Sequence, residues 1–81
     1  MITASNEASM IKNMTEGYTA VLRCGSNEVT ASYYRTSGDE CIIVLDKKAC
    51  VKYKFYGTQV NDIWEAFFNA FRTYDLIEIA D

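Results

Sequence analysis

The segment from residue 59 to 74 constrains this chain most. Val60, Ile63, Trp64, Phe67, Phe71 and Tyr74 fall on one stripe at helical spacing, while Asn61, Asp62, Glu65, Asn69 and Arg72 take the other side. A helix patterned this way needs a broad apolar surface to cover its aromatic stripe. Each large side chain removed from water contributes about 1.5–3 kcal/mol, so this one contact supplies most of the core. Phe68 lies at the edge of the stripe and is expected to be partly exposed. Gly57 ends the preceding segment, and Thr58 is placed to cap the helix.

The middle of the chain supplies the matching surface. Tyr18 to Cys24 alternates, with Tyr18, Ala20 and Leu22 on one face. Val29 to Arg35 alternates again, setting Val29, Ala31 and Tyr33 against Thr30, Ser32 and Tyr34. Gly25-Ser26-Asn27-Glu28 and Thr36-Ser37-Gly38-Asp39 have turn composition. Cys41 to Leu45 is a continuous apolar run, the pattern of a strand covered on both faces. The second cover is expected from the first helix or from a second subunit. A turn near Asp46-Lys47-Lys48 leads into Ala49 to Tyr56, where Val51, Tyr53 and Phe55 point in and Lys52 and Lys54 point out. Connections this short imply an antiparallel meander.

A short helix over residues 5–16 precedes the strands. Ser5 is the expected N-cap, Glu7 lies in the first turn, and Gly17 stands at the C-terminal end. Met10, Ile11 and Met14 share its apolar face. The tail Leu76 to Asp81 has the composition of a short fifth strand. The expected fold is α+β in one domain spanning residues 1–81: a short N-terminal helix, an antiparallel sheet of four strands with a fifth available, and a C-terminal amphipathic helix packed on the sheet. A domain of this size buries roughly 60–65% of its unfolded surface and depends on a good core. Six tyrosines, four phenylalanines and one tryptophan provide it.

The chemistry available is narrow. The chain has no histidine, which removes the commonest general acid/base and the commonest metal ligand. Cys24, Cys41 and Cys50 lack the paired spacing of a zinc site and read as small buried residues with free thiols. A cysteine nucleophile would have only a lysine such as Lys48 or Lys52 to activate it. The reading therefore expects a binding protein rather than an enzyme, with no metal and no cofactor. Lys52-Tyr53-Lys54-Phe55-Tyr56 interleaves cations with aromatics, as single-strand nucleic-acid platforms do. If Tyr53 and Phe55 face the helix, however, they cannot stack on bases.

Charge is unevenly spread. Four lysines lie between Lys47 and Lys54 with no acid among them. The remainder sets eleven acids against Lys12, Arg23, Arg35 and Arg72, leaving a body of charge −7. Such a body argues against direct nucleic-acid binding and suits a basic protein partner. Residues 1–7 have no basic region and no apolar run, so no secretory signal is expected. No membrane span is expected either, and free thiols fit a reducing cytoplasm.

Ile11-Lys12-Asn13 on the first helix, Tyr18-Thr19 opening the first strand, Arg35 closing the second and Gly38-Asp39-Glu40 in the turn together resemble small acidic anti-CRISPR proteins encoded by phages. Phe67 and Ala70-Phe71 extend the resemblance into the last helix, loosely and with gaps. The resemblance is to a type that blocks Cas9 by mimicking DNA. It implies a non-enzymatic inhibitor of a host defence complex, acting in the bacterial cytoplasm, whose carboxylates pair with arginines that otherwise read DNA. The residues it points to are Asp39 and Glu40, supported by Glu16, Asp75 and Glu78. Two features depart from the family. Its dense acidic cluster after the sheet is reduced here to Asp75, Glu78 and Asp81, and the lysine-rich fourth strand has no counterpart. The alternative is a homo-oligomeric phage accessory or interaction module without inhibitory activity.

Overall fold

The computed structural model describes residues 1–57 and 62–81. The chain runs α1 (Ala4–Thr15), β1 (Thr19–Cys24), β2 (Asn27–Thr36), β3 (Asp39–Asp46), β4 (Val51–Tyr56), α2 (Ile63–Ala70) and β5 (Asp75–Ala80). The strands form one antiparallel sheet in the order β4-β3-β2-β1-β5. The architecture is the expected α+β one, and the tail does form a fifth strand, returning to pair beside β1. None of the described helices is long and apolar enough to cross a membrane.

Local chemistry sets the helix ends, and twice it differs from the expectation. Thr3, not Ser5, caps α1. Its Oγ1 accepts the Asn6 N–H at 3.1 Å, and the Asn6 side-chain oxygen accepts the Thr3 N–H at 3.3 Å. That reciprocal pair needs an acceptor three residues on; Ser5 meets Ala8 there and cannot form it. α2 begins at Ile63 and is shorter than the 59–74 pattern suggests. Asp62 caps it, accepting the N–H groups of Trp64 at 3.0 Å and Glu65 at 3.3 Å. The expected cap Thr58 and the stripe residue Val60 lie outside the described residues. At the other end Phe71 leaves helical geometry at φ −115°, yet it stays in the core.

Both helices lie on the same face of the sheet. Met10 and Met14 of α1 and Phe67 of α2 join a single buried cluster with Ala20, Leu22, Ala31 and Val44. α1 packs on β1, β2 and β5, and α2 on β3 and β4. The aromatic stripe meets the sheet edge-on: Phe67 contacts Phe55 at 5.9 Å between ring centroids, and Phe71 contacts Tyr53 at 5.7 Å. Tyr53 and Phe55 do face the helix, as the alternation of β4 implies.

Several residues differ in burial from the expectation. Phe68 is buried, at 2% exposure. It lies against Trp64 and Phe67 and lines the groove between the helices with Ile11, a neighbour that the periodicity of one helix does not reveal. Ile11 itself is 38% exposed. At 3.6 residues per turn it sits about 80° off the centre of the Met10–Met14 stripe. The cysteines are free but not buried: Cys24 and Cys50 are exposed at turns and Cys41 is half-buried.

Among the described residues, the apolar run of β3 is covered on one face only. Ile42 and Val44 are fully buried, Cys41 and Ile43 are half-buried, and Leu45 is exposed. The first helix does not supply the second cover, because it lies on the inner face with α2.

Candidate functional site

The β2–β3 hairpin reaches beyond its neighbours in the sheet. β1 pairs with β2 as far as Ala31, whereas β2 continues against β3 to the Thr36–Asp39 pair. Two residues connect the strands, Ser37 at φ 48° and Gly38 at φ 87°. Positive φ at both central positions is the signature of a type I′ turn, whose twist matches that of the flanking strands. The tip projects in a defined turn geometry and is exposed from Tyr34 to Asp39.

Asp39 and Glu40 are adjacent in sequence but leave β3 on opposite faces. Asp39 shares the outer face with Cys41 and is exposed. Glu40 shares the inner face with Ile42 and is half-buried. Its Oε1 accepts the Tyr33 hydroxyl at 2.8 Å, and its carbonyl accepts the Gly57 N–H at 2.9 Å. Tyr33 in turn stacks on Trp64, with ring centroids 5.4 Å apart and planes inclined by 18°. A continuous chain of contacts thus ties the hairpin to α2. Burial, followed by the hydrogen bond and the charge of Glu40, raises the Tyr33 pKa above its ordinary value, while Arg35 opposes this. This Tyr33–Glu40 pair was legible in the sequence: counting back by twos from Ile42 places Glu40 on the inner face with Tyr33.

The other acids divide between the two ends of the sheet. Glu16 caps the C-terminus of α1 and is exposed, at the end where β1 begins. The hairpin tip projects from that same end. Asp75 opens β5 opposite Arg23 at the other end, where its carboxylate pairs with the N-terminal amine of Met1. Arg23 pairs with Glu28 at 2.7 Å. Eight residues of β2 separate the Asp75 level from the Asp39 level, about 26 Å at strand rise. Glu78 lies between them on β5, opposite Val21. The fold thus brings Glu16, Asp39 and Glu40 to one end and leaves Asp75 and Glu78 away from them.

A groove of about 360 Å³ runs between the helices, lined by Glu7, Ile11, Asp62, Trp64, Phe68 and Arg72 among others. Three of its polar side chains, Glu7, Asp62 and Arg72, already have structural partners. Arg72 donates to the Glu7 carboxylate and to the Ile2 carbonyl, and Asp62 caps α2. Among the described residues no group of three His, Cys, Asp or Glu side chains is placed to hold a metal. No family model, curated protein or solved structure matches this chain.

Proposed function

We propose that this chain is a non-enzymatic inhibitor, carried by a phage or mobile element, that binds a host defence complex in the bacterial cytoplasm. A Cas effector is the leading target. The observation that carries the reading is the β2–β3 hairpin: a projection with an exposed carboxylate, Asp39, on one side and a braced one, Glu40, on the other. A hairpin held by a type I′ turn inserts into a groove without first being ordered, which lowers the entropic cost of binding. Asp39 is the group offered to a partner arginine. Glu40 positions the tip through Tyr33, and Glu16 adds charge at the same end of the sheet.

Stoichiometric binding to a purified Cas effector tests this, and it is expected to weaken as salt rises. Asp39→Ala is expected to weaken binding by ~2–5 kcal/mol if its carboxylate meets a desolvated arginine. The same change leaves folding within about 0.5 kcal/mol, because Asp39 is exposed. Reversing Lys47 and Lys48 leaves binding nearly intact. Full-strength binding by the Asp39 variant, together with loss in the lysine variants, sinks the proposal and moves the surface to the basic hairpin. A second reading, a homo-oligomeric accessory module without inhibitory activity, draws on a different observation: the exposure of Leu45 on the outer face of the sheet.

A further inference from the structure

The outer face of the sheet carries a charge pattern that complements itself. Register places Glu78, Val21, Thr30, Leu45 and Lys52 in one row across all five strands. The next row holds Ala80, Thr19, Ser32, Ile43 and Lys54. Each row is apolar or neutral in its middle and cationic at the β4 end, and the first is anionic at the β5 end. Among the described residues, neither Lys52 nor Glu78 forms an ion pair within the chain. Leu45 is 38% exposed although it belongs to the most apolar strand of the sheet.

We infer that this face is a docking surface for a second copy of the same chain, packed sheet on sheet about a two-fold axis parallel to the strands. Such an axis, running over the central strand β2, lays β4 of one copy across β5 of the other and β3 across β1. Lys52 then falls over Glu78 of the second copy, and Leu45 falls over its Val21. Thr30 and Ser32 lie at the axis and meet their own counterparts. Aligned sheets pack about 10 Å apart, a distance these side chains span. An axis across the strands sets lysine on lysine and glutamate on glutamate, so charge selects between the two arrangements. The same pairing covers the second face of the Cys41–Leu45 run. A nucleic acid is a poorer fit, because Asp39 and Glu78 share this face with the lysines and repel phosphate, and Arg23 there is already paired with Glu28.

The test is sedimentation equilibrium of the full chain from micromolar to submillimolar concentration, with melting temperature followed in parallel. It needs no target, so its result is independent of the inhibitor reading. A concentration-dependent dimer is expected. Lys52→Glu and Glu78→Lys should each weaken it by about tenfold or more, and combining them should restore it to within about threefold of wild type. Leu45→Asp should abolish the dimer with little change in melting of the dilute chain; if that variant unfolds, the charge swap alone decides. A chain that stays monomeric throughout overturns the proposal. So does a dimer that ignores all three substitutions, which points to edge pairing, or one that the charge swap fails to restore. Lys52-dependent binding of an oligothymidylate by a monomeric chain assigns the face to nucleic acid instead.

Discussion

Ile42 and Ile43 are neighbours in β3 with the same side chain, and they face opposite ways. Ile42 is fully buried beneath α2, opposite Phe55 of β4. Ile43 lies on the outer face between Ser32 and Lys54, half-buried by its own sheet. Both satisfy the β-branched preference of a strand equally. Only one lies under a helix. The comparison separates two meanings of an apolar residue in a strand: one stabilises the single chain, and the other is left for whatever covers the sheet.

The largest effect is expected at the centre of the covered face. Phe67 is fully buried and its ring meets Phe55, Trp64, Phe68 and Phe71. Phe67→Ala is expected to cost ~3–5 kcal/mol, a large fraction of the stability of a domain this size, measured by urea denaturation. Next comes the pair itself. Ile42→Ala is expected to cost ~2–5 kcal/mol and Ile43→Ala less than about 1 kcal/mol in dilute solution. Equal costs there show that the outer face is covered within one chain. A cost for Ile43→Ala that grows with protein concentration places the cover in a second copy.

A smaller effect tests the brace between hairpin and helix. Tyr33→Phe removes the hydroxyl given to Glu40 and is expected to cost about 0.5–1.5 kcal/mol at neutral pH. It also changes the alkaline limb of stability. Because the folded pKa of Tyr33 is raised, the unfolded chain loses that proton first. Its contribution is complete below the ordinary tyrosine value near 10 and is lost as pH rises through the higher folded value. Stability measured above pH ~10 should fall less steeply in the Tyr33→Phe variant. The smallest effect is a gain. Ser37 holds φ 48°, a conformation disfavoured for most side chains. Ser37→Asn makes the Asn-Gly pair preferred in this turn and is expected to add about 0.5–1 kcal/mol, read as a higher melting temperature.

Much of this fold is local and could be read without coordinates. The turns at Gly25-Ser26 and Ser37-Gly38 follow from glycines that tolerate positive φ, and the strands from alternation. The inward side of β4 was recoverable because period two leaves Tyr53 and Phe55 no other face when Lys52 and Lys54 are solvated. The candidate site was less legible. Its acids were identifiable as residues, but not as members of one surface. Asp39 and Glu40 look like a pair until the pleat sends them to opposite faces. Asp75 and Glu78 look like companions of the turn until β5 returns along the far edge of the sheet.

The element types and most of the inward-facing residues can be read along the chain, because each depends on side chains a few positions apart, and the lack of imidazole follows from composition. Long-range packing and pairing place both helices on one face, cover Phe68, set β5 beside β1, and put Lys52 and Glu78 at the ends of the same row. Those outcomes rest on hydrogen bonds and contacts between residues far apart in the chain. No short-range pattern encodes them, since a shift of one residue in strand register would move every side chain to the other face.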